Sequence, residues 1–310
     1  MARANKRPVA VTTALLRRWR IPNPGSSGDK EDRGVALVIG GAAEVPGSIL
    51  LAGVAALRVG AGKLQLAGPR SAVTSLGVAV PEARVFPLPE SDDGFLDRKS
   101  GARAADLMKE ADAVLVGPGM MNDDAVRDFM DEVIRRIADK PIVIDALALS
   151  VLRDQRYRFP EKTRAVLTPN LEEMAGISGD KAAAIKADPG GVALAVARDL
   201  NAVIALKGSE TFIATPDGKL FQYAKADVGL ATSGSGDVLA GAIVGLIARG
   251  ATLDQAAAWA VYLHGAAGNR LKRRIGRLGF LARELSDEIA PLMNSLNGGR
   301  LSHETRRQHS

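Results

Sequence analysis

VALVIGGAAEVPGSILLAGVAALRVG, residues 35–60, decides the fold class. Val35 to Ile39 is an unbroken apolar run, which suits a parallel strand buried on both faces. It stops at Gly40-Gly41. The segment from Pro46-Gly47-Ser48 to Arg58-Val59-Gly60 is rich in Ala and Leu, with Pro in its first turn and Gly at its end, so the spacing predicts a helix. Strand, glycine turn and helix in succession make a βα unit whose turn lies at the carboxyl edge of a sheet. Ligands of open α/β folds bind at that edge.

The pattern recurs along the chain. Lys63 to Ala67, Ala113 to Val116, Ile142 to Ile144, Ala165 to Leu167 and Val203 to Leu206 read as further strands. The later ones run into Gly117-Pro118-Gly119-Met120, Asp145-Ala146, Thr168-Pro169-Asn170 and Lys207-Gly208, so glycines and polar side chains gather on one edge of the sheet. Ala125 to Ile137 and Val192 to Leu200 read as helices between them. After Lys207 the pattern changes: Thr211 to Ala214, a Pro216-Asp217-Gly218 turn and Leu220 to Tyr223 read as a β-hairpin. Helices are expected from Leu253 to about Asn269 and from Ala282 to about Leu296.

Between hairpin and helices lies GLATSGSGDVLAGAIVGLIARG, residues 229–250. A loop of small residues feeds a helix through Asp237, and Gly250 is a plausible C-terminal stop. Gly234 and Gly236, one serine apart, let backbone N–H groups turn toward a common point, and the free amides of a helix's first turn add a positive dipole end. Such a place suits phosphate. The Asp237 carboxylate there can either cap the helix or accept a proton from a hydroxyl about to attack phosphorus.

Composition narrows the alternatives. The chain has 310 residues, 46% of them hydrophobic and 25% charged, enough for a full core. No run of about 18 uncharged apolar residues reads as a membrane span, and no secretory core opens the chain, so a cytoplasmic protein is expected. There is no Cys, and the three His residues lack metal-ligand spacing. Arg3, Lys6, Arg7, Arg17, Arg18 and Arg20 supply the whole net charge of +6 before residue 21. The remaining body is neutral, and aromatics at 4% are too sparse for base-stacking platforms, which argues against a nucleic-acid partner. Residues 1–33 read as a basic N-terminal arm, solvated or docking, with a turn-rich Pro22–Gly28 and no periodic structure. Residues 34–298 read as one catalytic domain and 299–310 as a polar tail.

Read in order, GGxxxxPGS, GPGM, IDA, TPNxxE, LKGxxT and GSGD resemble the NAD(P)H-hydrate dehydratase family. The resemblance covers roughly residues 9 to 296. It implies a ribokinase-like α/β fold: a mainly parallel central sheet with helices on both faces and a small hairpin near the nucleotide site. It implies a repair reaction on NADH hydrate or NADPH hydrate, in which the hydroxyl is phosphorylated and phosphate is expelled to restore the double bond. ADP or ATP serves as donor, with Mg2+. A homo-oligomer, and an NAD(P)H-hydrate epimerase in the same pathway, are the partners that follow.

The resemblance also places roles. Asp237 matches the base that deprotonates the hydrate hydroxyl, and Gly234 and Gly236 match the amides facing the transferring phosphoryl group. Lys207, Gly208, Ser209, Glu210 and Thr211 match the nucleotide-binding segment. Gly47, Ser48, Gly119, Asn170 and Asp237 match substrate-binding positions. Two of these depart from the family pattern: Ser48 stands where alanine is usual, and Asn170 where histidine is usual. Asn170-x-x-Glu173 resembles instead the magnesium-and-phosphate segment of ribokinase-like sugar and vitamin kinases, which makes Glu173 a candidate metal ligand. Such a kinase, acting on a small alcohol such as a hydroxymethylpyrimidine or hydroxyethylthiazole, is the alternative reading; a non-catalytic nucleotide-binding regulator is the third. Of the other polar residues, His264 reads as a packed helix histidine and Asp145 as either a holder of magnesium through water or a backbone cap. The Arg270, Lys272, Arg273, Arg274 cluster reads as a solvated helix end, with a subunit contact or a phosphate site as the minority reading.

Overall fold

The apolar runs become strands because each can bury both faces. The computed structural model describes residues 7–23, 29–137, 139–153, 159, 162–225 and 227–296. Its strands are β1 (Val9–Ala10), β2 (Val35–Ile39), β3 (Lys63–Pro69), β4 (Ala83–Leu88), β5 (Ala113–Val116), β6 (Pro141–Ile144), β7 (Arg164–Leu167), β8 (Val203–Leu206), β9 (Thr211–Ala214) and β10 (Leu220–Tyr223). They form one sheet in the order β1-β10-β9-β8-β7-β6-β5-β2-β3-β4. Neighbours are parallel except at β9, which is antiparallel to both β8 and β10.

Side chains alternate along β2. Ala36 and Val38 enter a core shared with the helices Gly47–Arg58, Ser235–Ala248, Leu253–Arg274 and Ala282–Leu296. Leu37 and Ile39 enter a second core with the helices Arg98–Met108, Asp123–Arg136 and Pro189–Leu200. Burying Leu37, Val38 or Ile39 contributes roughly 1.5–3 kcal/mol each. The helices therefore lie in layers on both faces, and every parallel strand delivers its carboxyl end to one edge.

In the first core the helices 47–58 and 235–248 approach backbone to backbone. A Cβ added at Gly241 would lie 2.6 Å from the Ala52 Cα, and one at Gly245 would lie 2.6 Å from the Ala56 carbonyl oxygen. Only glycine allows this approach.

Three expectations are corrected. The lead-in does carry periodic structure: β1 pairs with Phe221 and Gln222 of β10, and the helix Thr13–Arg18 follows, its first turn capped by the Thr12 hydroxyl. This segment is docked. The Trp19 ring stacks on Phe221 at 5.4 Å, and its carbonyl accepts from Trp259 Nε1 at 2.8 Å. The Arg249 guanidinium reaches the Val59 and Pro22 carbonyls. Second, β4 gave no strand signal, because Arg84 and Pro87 break its apolar run; such residues are tolerated at the sheet edge it occupies. Third, the helix expected to stop near Asn269 continues to Arg274. The polar tail 299–310 lies outside the described residues. Among those described, no helix is long and apolar enough to cross a membrane.

Candidate functional site

At the carboxyl edge, the helix 235–248 starts without a side-chain cap. Gly234 occupies the cap position at φ 83°, a left-handed conformation open to glycine, and supplies no acceptor. Its place is crowded, since an added Cβ would lie 3.2 Å from the Ala282 Cβ. The Ser235 amide turns back to the Thr232 carbonyl at 3.2 Å, and the first-turn amides of Gly236 and Asp237 have no side-chain acceptor. His264 steadies this turn, with Nε2 2.8 Å from the Ser235 hydroxyl and 3.0 Å from the Ser235 carbonyl. Burial pushes its pKa down to about 4, which keeps the ring neutral. The helix histidine is packed, as expected, but against the glycine loop.

Asp237 is the third residue of that helix. Burial pushes its pKa up to about 7, and the negative Asp145 adds to the rise; a hydrogen bond from Ser48 and the charge of Lys207 oppose it. A carboxylate titrating near neutrality is suited to take up a proton and release it again.

Lys207 leaves the end of β8 and points inward. Its Nζ lies 2.8 Å from Asp145 Oδ1 and 3.9 Å from Glu173 Oε2. Burial acts to lower its pKa, but the Asp145 and Glu173 carboxylates outweigh this and hold it above the usual lysine value. A Cβ added at Gly236 would sit 3.6 Å from this Nζ, so the ammonium borders the glycine turn. Asp145, 1% exposed, also accepts from the Thr168 hydroxyl at 2.6 Å. Among the described residues it caps no backbone, and its partners are two side chains. Ala146 beside it has φ 53°, a strained value for a residue with a Cβ.

Asn170 does something the sequence reading missed. It is the N-cap of the helix Leu171–Ser178: its Oδ1 accepts from the amides of Glu172 at 2.8 Å and Glu173 at 2.9 Å. The Glu173 carboxylate in return accepts from the Asn170 amide at 2.6 Å. This reciprocal capping box occupies the Asn170 carbonyl oxygen and one Glu173 oxygen. Glu173 is also desolvated, which raises its pKa despite the opposing charge of Lys207.

Gly119, at φ 68°, sits tight against the β2 turn: an added Cβ would lie 2.7 Å from the Val45 carbonyl and 2.9 Å from the Ser48 Cβ. Gly47 has open space where a Cβ would stand. Gly208, Ser209 and Glu210 form the exposed turn into β9, Thr211 is buried, and Glu210 accepts from Gln222 Nε2 at 2.8 Å. The structure thus joins Ser48, Asp237, Gly236, Lys207, Asp145 and Glu173 in one connected group, while Ser209 and Glu210 stand on its outer lip. Thr168 was not singled out, although a polar residue at the end of an apolar strand is the signal for it.

Among the described residues no group of three His, Cys or acidic side chains is close enough to hold a metal ion by itself. Asp145 and Glu173 both face the Lys207 ammonium, so a hard divalent cation would reach these oxygens only with phosphate oxygens or water completing its shell.

Comparison with known proteins places nearly the whole chain in one enzyme family. The family profile described as NAD(P)H-hydrate dehydratase matches residues 36–291. The chain is 45% identical over 290 residues to the ADP-dependent (S)-NAD(P)H-hydrate dehydratase of Xanthomonas campestris pv. campestris, covering 93% of this chain and 97% of that one. It is 38% identical to the bifunctional NAD(P)H-hydrate repair enzyme Nnr of Moorella thermoacetica, of which it spans 54%. Its fold matches the ADP/ATP-dependent NAD(P)H-hydrate dehydratase of Bacillus subtilis co-crystallized with ATP/Mg2+, with a TM-score of 0.81, 30% identity, and coverage of 94% of this chain and 100% of that one. The hydroxyethylthiazole kinase of Pyrococcus horikoshii, at 17% identity and a TM-score of 0.59, shares the fold alone.

Proposed function

The chain belongs to the NAD(P)H-hydrate dehydratase family, and from that membership we propose how its residues carry the reaction. It is a nucleotide-dependent (S)-NAD(P)H-hydrate dehydratase, a carbon–oxygen lyase of ribokinase-like fold that uses ADP or ATP as phosphoryl donor with Mg2+.

Asp237 is the base. It takes the proton of the hydrate hydroxyl as the hydroxyl oxygen attacks the terminal phosphorus of the nucleotide, and the bond from that phosphorus to the shortened nucleotide breaks. The ring C–O bond then breaks, phosphate leaves with the former hydroxyl oxygen, the neighbouring ring carbon gives up a proton to solvent, and the double bond of the reduced nicotinamide returns. The amides of the Gly234–Asp237 turn, with Gly234 making the left-handed bend and Gly236 leaving room, receive the charge spread over the transferring group. Lys207 supplies a point charge beside them, and the Gly208–Thr211 turn borders the nucleotide. Gly47, Ser48, Gly119 and Asn170 border the hydrate. Bound Mg2+ would neutralise phosphate charge; Glu173 and Asp145 are the side chains suited to hold it, through water.

The observation that carries this reading is a carboxylate with a pKa near 7 at an uncapped helix start, beside a buried ammonium. Purified protein mixed with NADH hydrate, Mg2+ and either ADP or ATP should restore the reduced-nicotinamide absorbance. No recovery with either nucleotide would overturn it. Residues 34–298 are assigned this activity as one domain. The bifunctional relatives support a companion NAD(P)H-hydrate epimerase that draws on the same hydrate pool. A cytoplasmic homo-oligomer, the remaining part of the reading, is checked by cell fractionation and sedimentation.

A further inference from the structure

The basic cluster at the end of the helix 253–274 splits in two. Lys272 pairs with Asp227 at 2.5 Å and Arg274 with Glu288 at 2.9 Å, so these two charges are compensated. Arg270 shares Glu288 at 3.5 Å. Arg273 has no ion pair among the described residues. With Arg270 and Lys225 it faces a cavity of about 370 Å³ that no carboxylate lines.

The docked N-terminal segment walls one side of this open cavity. Thr12 and Thr13 form one wall, and the Thr13 hydroxyl hydrogen-bonds the Tyr262 hydroxyl at 2.7 Å. Tyr262 meets Tyr223 edge to face at 5.8 Å, giving an aromatic wall. Burial pushes Tyr223 up to about 12, so its phenol stays neutral. Asn269 is tied to the Lys225 carbonyl at 2.8 Å, which fixes the strand end that carries the lysine. Cations, hydroxyls and an aromatic wall without an acid suit a phosphate group attached to a flat ring.

This cavity is separate from the glycine turn. At about 100° per residue, Tyr262, Ala266, Arg270 and Arg273 run along one side of the helix, while His264, which touches Ser235, points to roughly the opposite side. The helix body stands between the two places.

We infer that the cavity between the N-terminal segment and the helix 253–274 is a second anion site, which takes a phosphate-bearing ligand of mononucleotide size. The phosphate lies among Lys225, Arg270 and Arg273, and the ring lies against Tyr262. Occupancy ties residues 11–14 to the body, so the ligand stabilises the docked segment.

Titration calorimetry of the full chain with ADP, and separately with inorganic pyrophosphate, tests this. Wild type should show a binding event beyond that of the donor site. Lys207→Ala should weaken the donor event and leave the second one intact. Lys225→Glu with Arg273→Glu should abolish the second event and keep turnover, because both side chains are exposed and distant from Asp237. Pyrophosphate should bind the second site more weakly than ADP if the aromatic wall contributes. Should the double variant fail to fold, Arg273→Gln alone carries the test, with the second event roughly tenfold weaker or more. A single event that Lys207→Ala removes, or a second event that neither charge reversal nor Arg273→Gln alters, overturns the site.

Discussion

Two helices begin at the same edge of the sheet and treat their first turns in opposite ways. At residues 170–173 the start is closed: Asn170 and Glu173 satisfy each other's backbone amides. At residues 234–237 it is open: Gly234 offers no acceptor. A side-chain cap is worth about 1 kcal/mol, so the open start gives up stability of that order. The difference teaches where a ligand is expected to act. At the closed start the chain's own side chains satisfy the amides, so a ligand there meets side chains; at the open start the Gly236 and Asp237 amides are left for an external oxygen to cap.

The strongest way to break this contrast is at Asp237. Asp237→Asn keeps the shape and removes the base, so turnover should fall roughly 10²–10⁴-fold while ADP affinity, measured by calorimetry, stays near wild type. An affinity that falls in step would make Asp237 a binding residue. The wild-type rate should also drop as pH falls below about 7, where the base becomes protonated, and level off above it. Stability has the opposite sign. Because the folded-state pKa is raised from 3.8 to about 7, the fold holds a proton the unfolded chain releases, and stability declines as pH rises through that window. Asp237→Asn should therefore melt higher than wild type at pH 8, and a lower melting temperature would contradict the shift.

Gly236→Val fills the open turn beside Lys207 and should weaken ADP roughly tenfold, about 1.4 kcal/mol. Unchanged affinity would mean that the amides there are not the phosphate seat. Ser48→Ala removes a hydrogen bond that lowers the Asp237 pKa, so the midpoint of the pH–rate profile should move to higher pH. A midpoint that stays put would detach Ser48 from the base. At the closed start, Asn170→Ala should cost about 1 kcal/mol of stability and, because the side chain borders the hydrate, raise the KM for hydrate while kcat stays nearly unchanged across a magnesium series. A kcat defect rescued by magnesium would mean that losing the capping box displaces Glu173 from the cation, and would erase the contrast.

Much of this was legible in the sequence. β2, β5 and β8 appear as continuous apolar runs because they are buried on both faces, β9 and β10 are announced by the Pro216-Asp217-Gly218 turn between them, and the glycines between Gly229 and Gly236 announce their loop by composition. β4 was not legible, since an edge strand tolerates Arg84 and Pro87. Asn170-x-x-Glu173 was legible twice over. The same spacing serves a capping box and a magnesium segment, and only the hydrogen bonds distinguish them. The contacts of Ser48 with Asp237 and of His264 with Ser235 join residues far apart in the chain, which no local pattern carries. The docking of Trp19 was hidden for the same reason: its partners, Phe221 and Trp259, lie more than half the chain away.

The glycine contact between the helices 47–58 and 235–248 has a mechanical meaning. Gly241 lies one turn behind Asp237, and it fixes the helix that carries the base to the helix that carries Ser48. The two ends of that hydrogen bond are thus machined into one solid block, with their spacing set by backbone contact and not by adjustable side chains. Such a block cannot slide to accommodate a differently shaped guest. Adaptation to another donor or another hydrate falls to the exposed lip at Gly208–Glu210, and a single methyl at position 241 would act as a wedge, its damage read first in the titration of the base.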